Sequence, residues 1–221
     1  INVLMARLLG AGGSGTYFNE LYLLNFIVFI CSAGLDYAVI AMVSQDGRLF
    51  SFLHQQLLKV SVGFVIILIA LSVWPFQLTG PFFKQPVTAI IFFSAGNLLL
   101  IFYQGLLSAK KAFNQQNIVL LVSNLVFLGF LMYLFSQQND GLNRYLQTGY
   151  ALLFLIQGIV MYLLSAGTKM QSQVTVSWGV LLKRGVVIMI SSLVYFAFLR
   201  IDNFFVQRYT DDITLGNYVQ C

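Results

Sequence analysis

Four stretches of this chain contain no Asp, Glu, Lys or Arg: residues 60–83, 85–109, 112–139 and 145–168. Each is 24 residues or longer. A helix of about 20 apolar residues crosses the ~30 Å hydrocarbon core of a bilayer. Residues 17–43 and 180–207 are similarly apolar but carry ionisable residues within them. The chain is therefore expected to be an all-α integral membrane protein, a polytopic bundle with six transmembrane helices. Barrel strands alternate polar and apolar residues, and runs such as Val65-Ile-Ile-Leu-Ile-Ala-Leu do not. Only 9% of the residues are charged and 59% are hydrophobic, against roughly 25% charged in a soluble domain.

The net charge of +5 does not point to nucleic acid, because the basic residues form no stripe with interleaved aromatics. They sort by loop instead. Arg48, Lys59, Lys110, Lys111, Lys169, Lys183 and Arg184 fall on one side of the predicted spans, and Arg7, Lys84, Arg144 and Arg208 on the other. Seven against four places the first side in the cytoplasm. Cys31 and Cys221 make neither a disulfide framework nor a metal spacing, and no metal or cofactor is expected. The chain begins with Ile, shows no signal peptide and stops in mid-element. It reads as a fragment lacking at least one helix in front and more behind.

The spans are predicted at 17–42, 57–78, 87–108, 118–136, 145–165 and 178–209. The connector SQDGRLFSFLHQQ, residues 44–56, is expected on the membrane surface as a short amphipathic helix. His54 within it is read as a surface residue rather than a proton carrier. The polar link near 168–177 is the domain boundary. It separates a first bundle, 1–167, from the first helix and exit loop of a second, 178–221.

The stretch Gly10-Ala-Gly-Gly-Ser-Gly15 has the spacing G-x-G-x-x-G. A dinucleotide fingerprint needs a preceding strand and a βαβ unit, and here an apolar helix follows with no sheet in prospect. The stretch is expected to be a flexible turn. Arg7, Gly15 and Tyr17 recur in spacing as Arg208, Gly216 and Tyr218. This R-x7-G-x-Y repeat suits a transporter built from two related halves.

The segment ARLLGAGGSGTYFNELYLLNFIVFICSAGLDYAVI resembles the second-helix region of bacterial polysaccharide flippases. The pattern is R-L-L-G-x4-G-x-Y, a helix, then G-L-D. LVYFAFLRIDNFFVQRYTDDITLGNYV resembles their seventh helix and exit loop. These flippases, O-antigen and capsule exporters among them, belong to the multidrug/oligosaccharidyl-lipid/polysaccharide exporter superfamily. The resemblance implies that this chain holds about helices two to seven of a two-bundle transporter with a central cavity. It implies a polyprenyl-diphosphate-linked oligosaccharide as cargo, flipped across the bacterial cytoplasmic (inner) membrane by alternating access for lipopolysaccharide or capsule biosynthesis. Polysaccharide polymerases are the implied protein partners. One departure is GAGG, where many relatives have proline after the first glycine.

Intramembrane polar residues are costly and so informative. At 100° per residue, Asn25, Ser32 and Asp36 share one face of the first span, and Arg184, Ser191, Tyr195 and Asp202 one face of the last. By the resemblance these helices border the cavity. Asn25, Asp36, Arg184, Tyr195 and Asp202 are therefore the candidate substrate-binding residues, with Asp36 or Asp202 as ion-coupling candidates. Each has a structural alternative. Asn25 and Ser32 suit interhelical hydrogen bonds. Asp36 suits an ion pair with Arg48, Lys59 or Lys183. Lys183 and Arg184 suit flanking anchors, although the Arg184 fork also fits a diphosphate. Arg200 points away from Asp202 and is expected to fix the helix end. Ser94, Asn97, Gln104 and Ser108 form a further polar face read mainly as packing. A drug or organic-cation antiporter of the same superfamily would prefer a more acidic pocket. A membrane enzyme of glycan assembly would need clustered catalytic residues in large outer loops. Neither pattern is present, and no enzymatic activity is expected.

Overall fold

The computed structural model describes residues 2–73, 86–137, 142–167 and 176–209. All regular structure among them is helical: α1 (Asn2–Ser32), α2 (Leu35–Gln45), a 3-10 turn (Gly47–Leu49), α3 (Phe50–Val73), α4 (Val87–Ala109), α5 (Phe113–Gln137), α6 (Leu142–Ala166) and α7 (Trp178–Tyr209). Five segments are long and apolar enough to cross a membrane: Gly47–Leu71, Val87–Ala109, Phe113–Ser136, Tyr145–Ala166 and Trp178–Tyr195. A further pair, Gly12–Ser32 and Leu35–Gln45, passes the same test together but is bent by 45°. The molecule is thus a helical, multi-pass membrane protein. In lipid every backbone N–H and C=O must be satisfied within its own segment, and helices achieve that.

The first span departs most from expectation. A single straight helix over 17–42 is replaced by α1 and α2, broken where Ala33 (φ 49°) and Gly34 (φ 65°) both adopt left-handed backbone. For Ala33 this costs about 1–2 kcal/mol. The glycine stretch also differs from the flexible turn expected of it. It is helical except at Gly10 (φ 70°, ψ 172°). The stretch therefore opens the helix that follows the break at Gly10, with no strand before it among the described residues, as a dinucleotide fingerprint would need.

The connector 44–56 is not a separate surface helix. A turn at Asp46 leads through Gly47–Leu49 directly into α3. Residues 74–85 lie outside the described residues, as do 138–141, the domain link over 168–175, and the second copy of R-x7-G-x-Y from Thr210 onward.

α4 occupies the centre. It packs on α6, α2, α3, α1 and α5. Its first half, through Ala89, Ile90 and Phe93, joins a core formed with α1, α5 and α6. Its second half, through Leu98, Phe102, Tyr103 and Leu106, joins a core formed with α2, α3, Met161 and Leu181. α4 and α6 approach so closely that a methyl on Gly158 would lie 2.6 Å from the Gly96 carbonyl oxygen, and one on Gly96 would strike the backbone at Leu155. Small residues permit such contacts where lipid supplies no hydrophobic drive between helices. α5 presents Ile118, Leu121, Val126, Met132 and Phe135 outward, a surface suited to acyl chains. At its start, Lys111 takes a left-handed conformation (φ 59°), with Ala112 N–H donating to the Leu107 carbonyl at 3.0 Å. This is a Schellman end to α4.

Gly96→Ala is expected to lower stability by about 1–3 kcal/mol through overpacking. Gly63→Ala, with nothing within 4 Å of the added methyl, should stay within about 0.5 kcal/mol. Reversible unfolding in mixed micelles measures both.

Candidate functional site

The break between α1 and α2 sets the geometry of the candidate residues. Ser32 Oγ donates to the Phe29 carbonyl at 2.8 Å, and Gly34 N–H reaches back to Ser32 Oγ at 3.4 Å. Ser32 therefore finishes α1 instead of bridging helices. Gly34 lies directly against Gly185 of α7, and a Gly185 methyl would lie 2.5 Å from the Ala33 carbonyl oxygen. The seam between α2 and α7 opens into a groove of ≈ 530 Å³ lined by Ala38, Ala41, Val180, Lys183, Arg184, Val187 and Ile188. Lys183 and Arg184 are exposed. Among the described residues, neither has a salt bridge or a side-chain hydrogen bond.

Asp36 sits in the first turn of α2, where the helix dipole favours a carboxylate. Its backbone packs on α4, with the Asp36 carbonyl oxygen 3.2 Å from where a Gly105 methyl would stand. Its Oδ1 is buried without a hydrogen-bond partner among the described residues. The ion pair expected for it with Arg48, Lys59 or Lys183 is not formed among the described residues. Arg48 binds Asp46 instead, Nε to Oδ1 at 3.0 Å and Nη2 to Oδ2 at 3.1 Å. A partner two residues away closes this fork at little entropic cost. The Arg48 side chain and backbone N–H bonds hold the Asp46 carboxyl below its usual range.

Asn25 faces α4, where Asn97 Nδ2 donates to its Oδ1 at 2.6 Å. It serves the interhelical alternative. The polar face of α4 likewise serves packing. Gln116 Nε2 donates to the Gln104 carbonyl at 2.9 Å and to Ser108 Oγ at 3.0 Å. The shared face expected of Asn25, Ser32 and Asp36 is lost because the break resets the helix phase between Ser32 and Asp36. On α7, Ser191 Oγ bonds its own helix at the Val187 carbonyl. Tyr195 is 67% exposed, about 16 Å along the helix from Arg184. Arg200 and Asp202 fall on the helical backbone of α7, but their side chains lie outside the described residues. The α2–α7 groove thus gathers Lys183 and Arg184, while Asn25 and Tyr195 stand elsewhere.

Two features escaped sequence reasoning. Glu20 is buried, 5% exposed, and interacts electrostatically with Tyr17; a lone acid inside an apolar run was the available signal. His54, expected on the surface, is half-buried and packed among aromatic rings. It stacks on Tyr162 (5.1 Å, 13°), meets Tyr103 edge-on at 5.1 Å and lies parallel to Phe50 at 6.4 Å. Lys110 Nζ stands 3.6 Å over the Phe50 ring centroid, and burial pushes that ammonium below its ordinary pKa. Only tertiary packing brings Tyr103 and Tyr162 to His54; Phe50, one turn away, was visible in sequence.

Asn25→Leu and Asn97→Leu should each destabilise the bundle, and the double variant should lose less than their sum. A double-mutant cycle is expected to give a coupling of about 0.6–1.7 kcal/mol, as for hydrogen bonds inside membranes. Against protein-family models, curated proteins and solved structures, this chain gives no match.

Proposed function

We propose that this chain is part of a flippase that moves a lipid-linked, phosphate-bearing oligosaccharide across the bacterial cytoplasmic membrane by alternating access. The observation that carries the reading is the α2–α7 groove, where Lys183 and Arg184, neither in a salt bridge among the described residues, stand exposed beside an apolar floor. A guanidinium donates two parallel hydrogen bonds to a phosphate, and Ala38, Ala41, Val187 and Ile188 offer the lipid portion a surface of matching polarity. Resemblance of the segments around GLD and RID to polysaccharide flippases supplies the cargo class.

In this reading the bent pair α1–α2 counts as one crossing, giving six spans, and α7 opens the second of two bundles. The contact between Gly34 and Gly185 is then where one bundle meets the other, and their rocking opens the groove to alternate sides. Arg184 receives the diphosphate, and Lys183 adds a second positive charge. Asp36, in the first turn of α2, is the coupling candidate on the same side of the break, with Asp202 the other. Two exposed cations in the groove disfavour an organic cation as cargo.

Arg184→Ala is expected to reduce surface glycan at least about tenfold when the full-length protein is supplied to a flippase-null strain, the effect of losing one charge-assisted contact of about 1.5–3 kcal/mol. Arg184→Lys should restore part of it. Unchanged glycan at normal protein level removes Arg184 from the transport path.

A further inference from the structure

α5 and α6 leave a cleft between them of ≈ 570 Å³, the size of a small-molecule site. Ile118, Val122 and Val126 form one wall, and Leu152, Ile156 and Val160 the other. Two polar residues, Ser123 and Gln157, also line it, and they are bonded to each other, Gln157 Nε2 donating to Ser123 Oγ at 2.8 Å. Ser123 Oγ in turn donates to the Val119 carbonyl at 2.7 Å. The slot is therefore apolar along its length, and its two ends differ. At one, the Phe130 ring lies across Gly149, 2.6 Å from where a methyl on that glycine would stand, and closes the slot. The other end, at Ile118, looks toward the start of α5, where Lys111 is exposed and in no salt bridge among the described residues. Lys110 beside it is turned to the Phe50 ring. From Ile118 to Phe130 is about 18 Å along the helix, against about 15 Å for one leaflet's half of the hydrocarbon core.

We propose that this cleft binds one acyl chain of an anionic phospholipid from the leaflet on the Lys111 side, with Lys111 beside the lipid's phosphate. Both walls belong to helices long and apolar enough to span a membrane, so the cleft opens into hydrocarbon. A chain lying in it restores the dispersion contacts that an unfilled gap forfeits. The length suits a chain from a single leaflet, and Phe130 stops that chain within about 8 Å of the middle of α5. A helix, from elsewhere in the protein or from a second copy, would need a seam along the whole ~30 Å span, and the slot is blocked short of that. The mouth sets the charge of the head group. A lysine near the membrane surface attracts anionic lipid, and neither α5 nor α6 contains an Asp or Glu to oppose it. The site is independent of the cargo assigned above and requires only that these helices cross a membrane.

The test uses the full-length protein in vesicles containing phosphatidylglycerol or phosphatidylcholine, each with a photoactivatable diazirine near the end of one acyl chain and at equal mole fraction in the same carrier lipid. Mass spectrometry maps the adducts after irradiation. With phosphatidylglycerol they should concentrate on Val126 and Ile156, several-fold above Leu125, which is comparably exposed at the same depth but outside the cleft. Phosphatidylglycerol should exceed phosphatidylcholine there about fivefold, the factor that one lysine beside an anionic lipid supplies. Lys111→Asn should bring the two lipids level, asparagine being tolerant of the left-handed backbone at that position. Val126→Trp fills the slot and should reduce Ile156 adducts to the level of Leu125, whereas Leu125→Trp should leave them unchanged. Adducts spread evenly around α5 overturn the proposal. So do equal adducts from the two lipids, a preference that survives Lys111→Asn, or Ile156 adducts that survive Val126→Trp. Absence of lipid adducts from Val126 and Ile156, as a protein segment seated in the slot would cause, overturns it also.

Discussion

Across about 30 Å of hydrocarbon no water is present to satisfy a peptide group, and the rest of the structure follows from that deprivation. It forces the described backbone into helices. It also removes the usual reason for helices to associate, since lipid tails are as apolar as leucine. Association must come from close backbone approach and from polar side chains that find one another. The structure shows both: Gly96 against Gly158 and Gly34 against Gly185, and Asn97 with Asn25 and Gln157 with Ser123.

α4 connects these contacts. One half of it belongs to the core with α1 and α5, the other half to the core with α2 and α3, and α6 lies along both. The left-handed pair Ala33–Gly34 then turns α2 toward α7. A straight first span would have continued the phase of Asn25 through Asp36. The break separates them, leaving Asn25 bonded to α4 and Asp36 at the start of a new helix beside α4 and α7. The α2–α7 groove, with its two exposed cations, is a product of that turn.

Helix positions were largely legible because charge-free runs are long and bounded by charged residues. The limits 178–209 were read directly, and α4, α5 and α6 extend only a few residues beyond the predicted spans. The extra turns come from polar residues such as Asn114 and Gln115, which a hydropathy reading assigns to loops although they are capable of helical hydrogen bonding. The kink was not read: Gly34 is a residue that admits left-handed backbone, but Ala33 beside it is not, and the Gly185 that packs on Gly34 arrives from far along the chain. The candidate site was legible in part. Lys183 and Arg184 declared themselves by charge, and Asn25 by an isolated amide. The surroundings of His54 depend on Tyr103 and Tyr162 arriving from α4 and α6, and no local pattern around SFLHQQ announces them.

The account stands on these helices crossing a bilayer with the Lys110–Lys111 end of α5 in the cytoplasm. The most direct measurement is labelling of single cysteines, in a background of Cys31→Ser and Cys221→Ser, with a membrane-impermeant maleimide on intact and permeabilised cells. Lys111→Cys and Ser136→Cys stand near opposite ends of α5. The account predicts that Ser136→Cys labels in intact cells while Lys111→Cys labels only after permeabilisation. Labelling of both from the same side would contradict it.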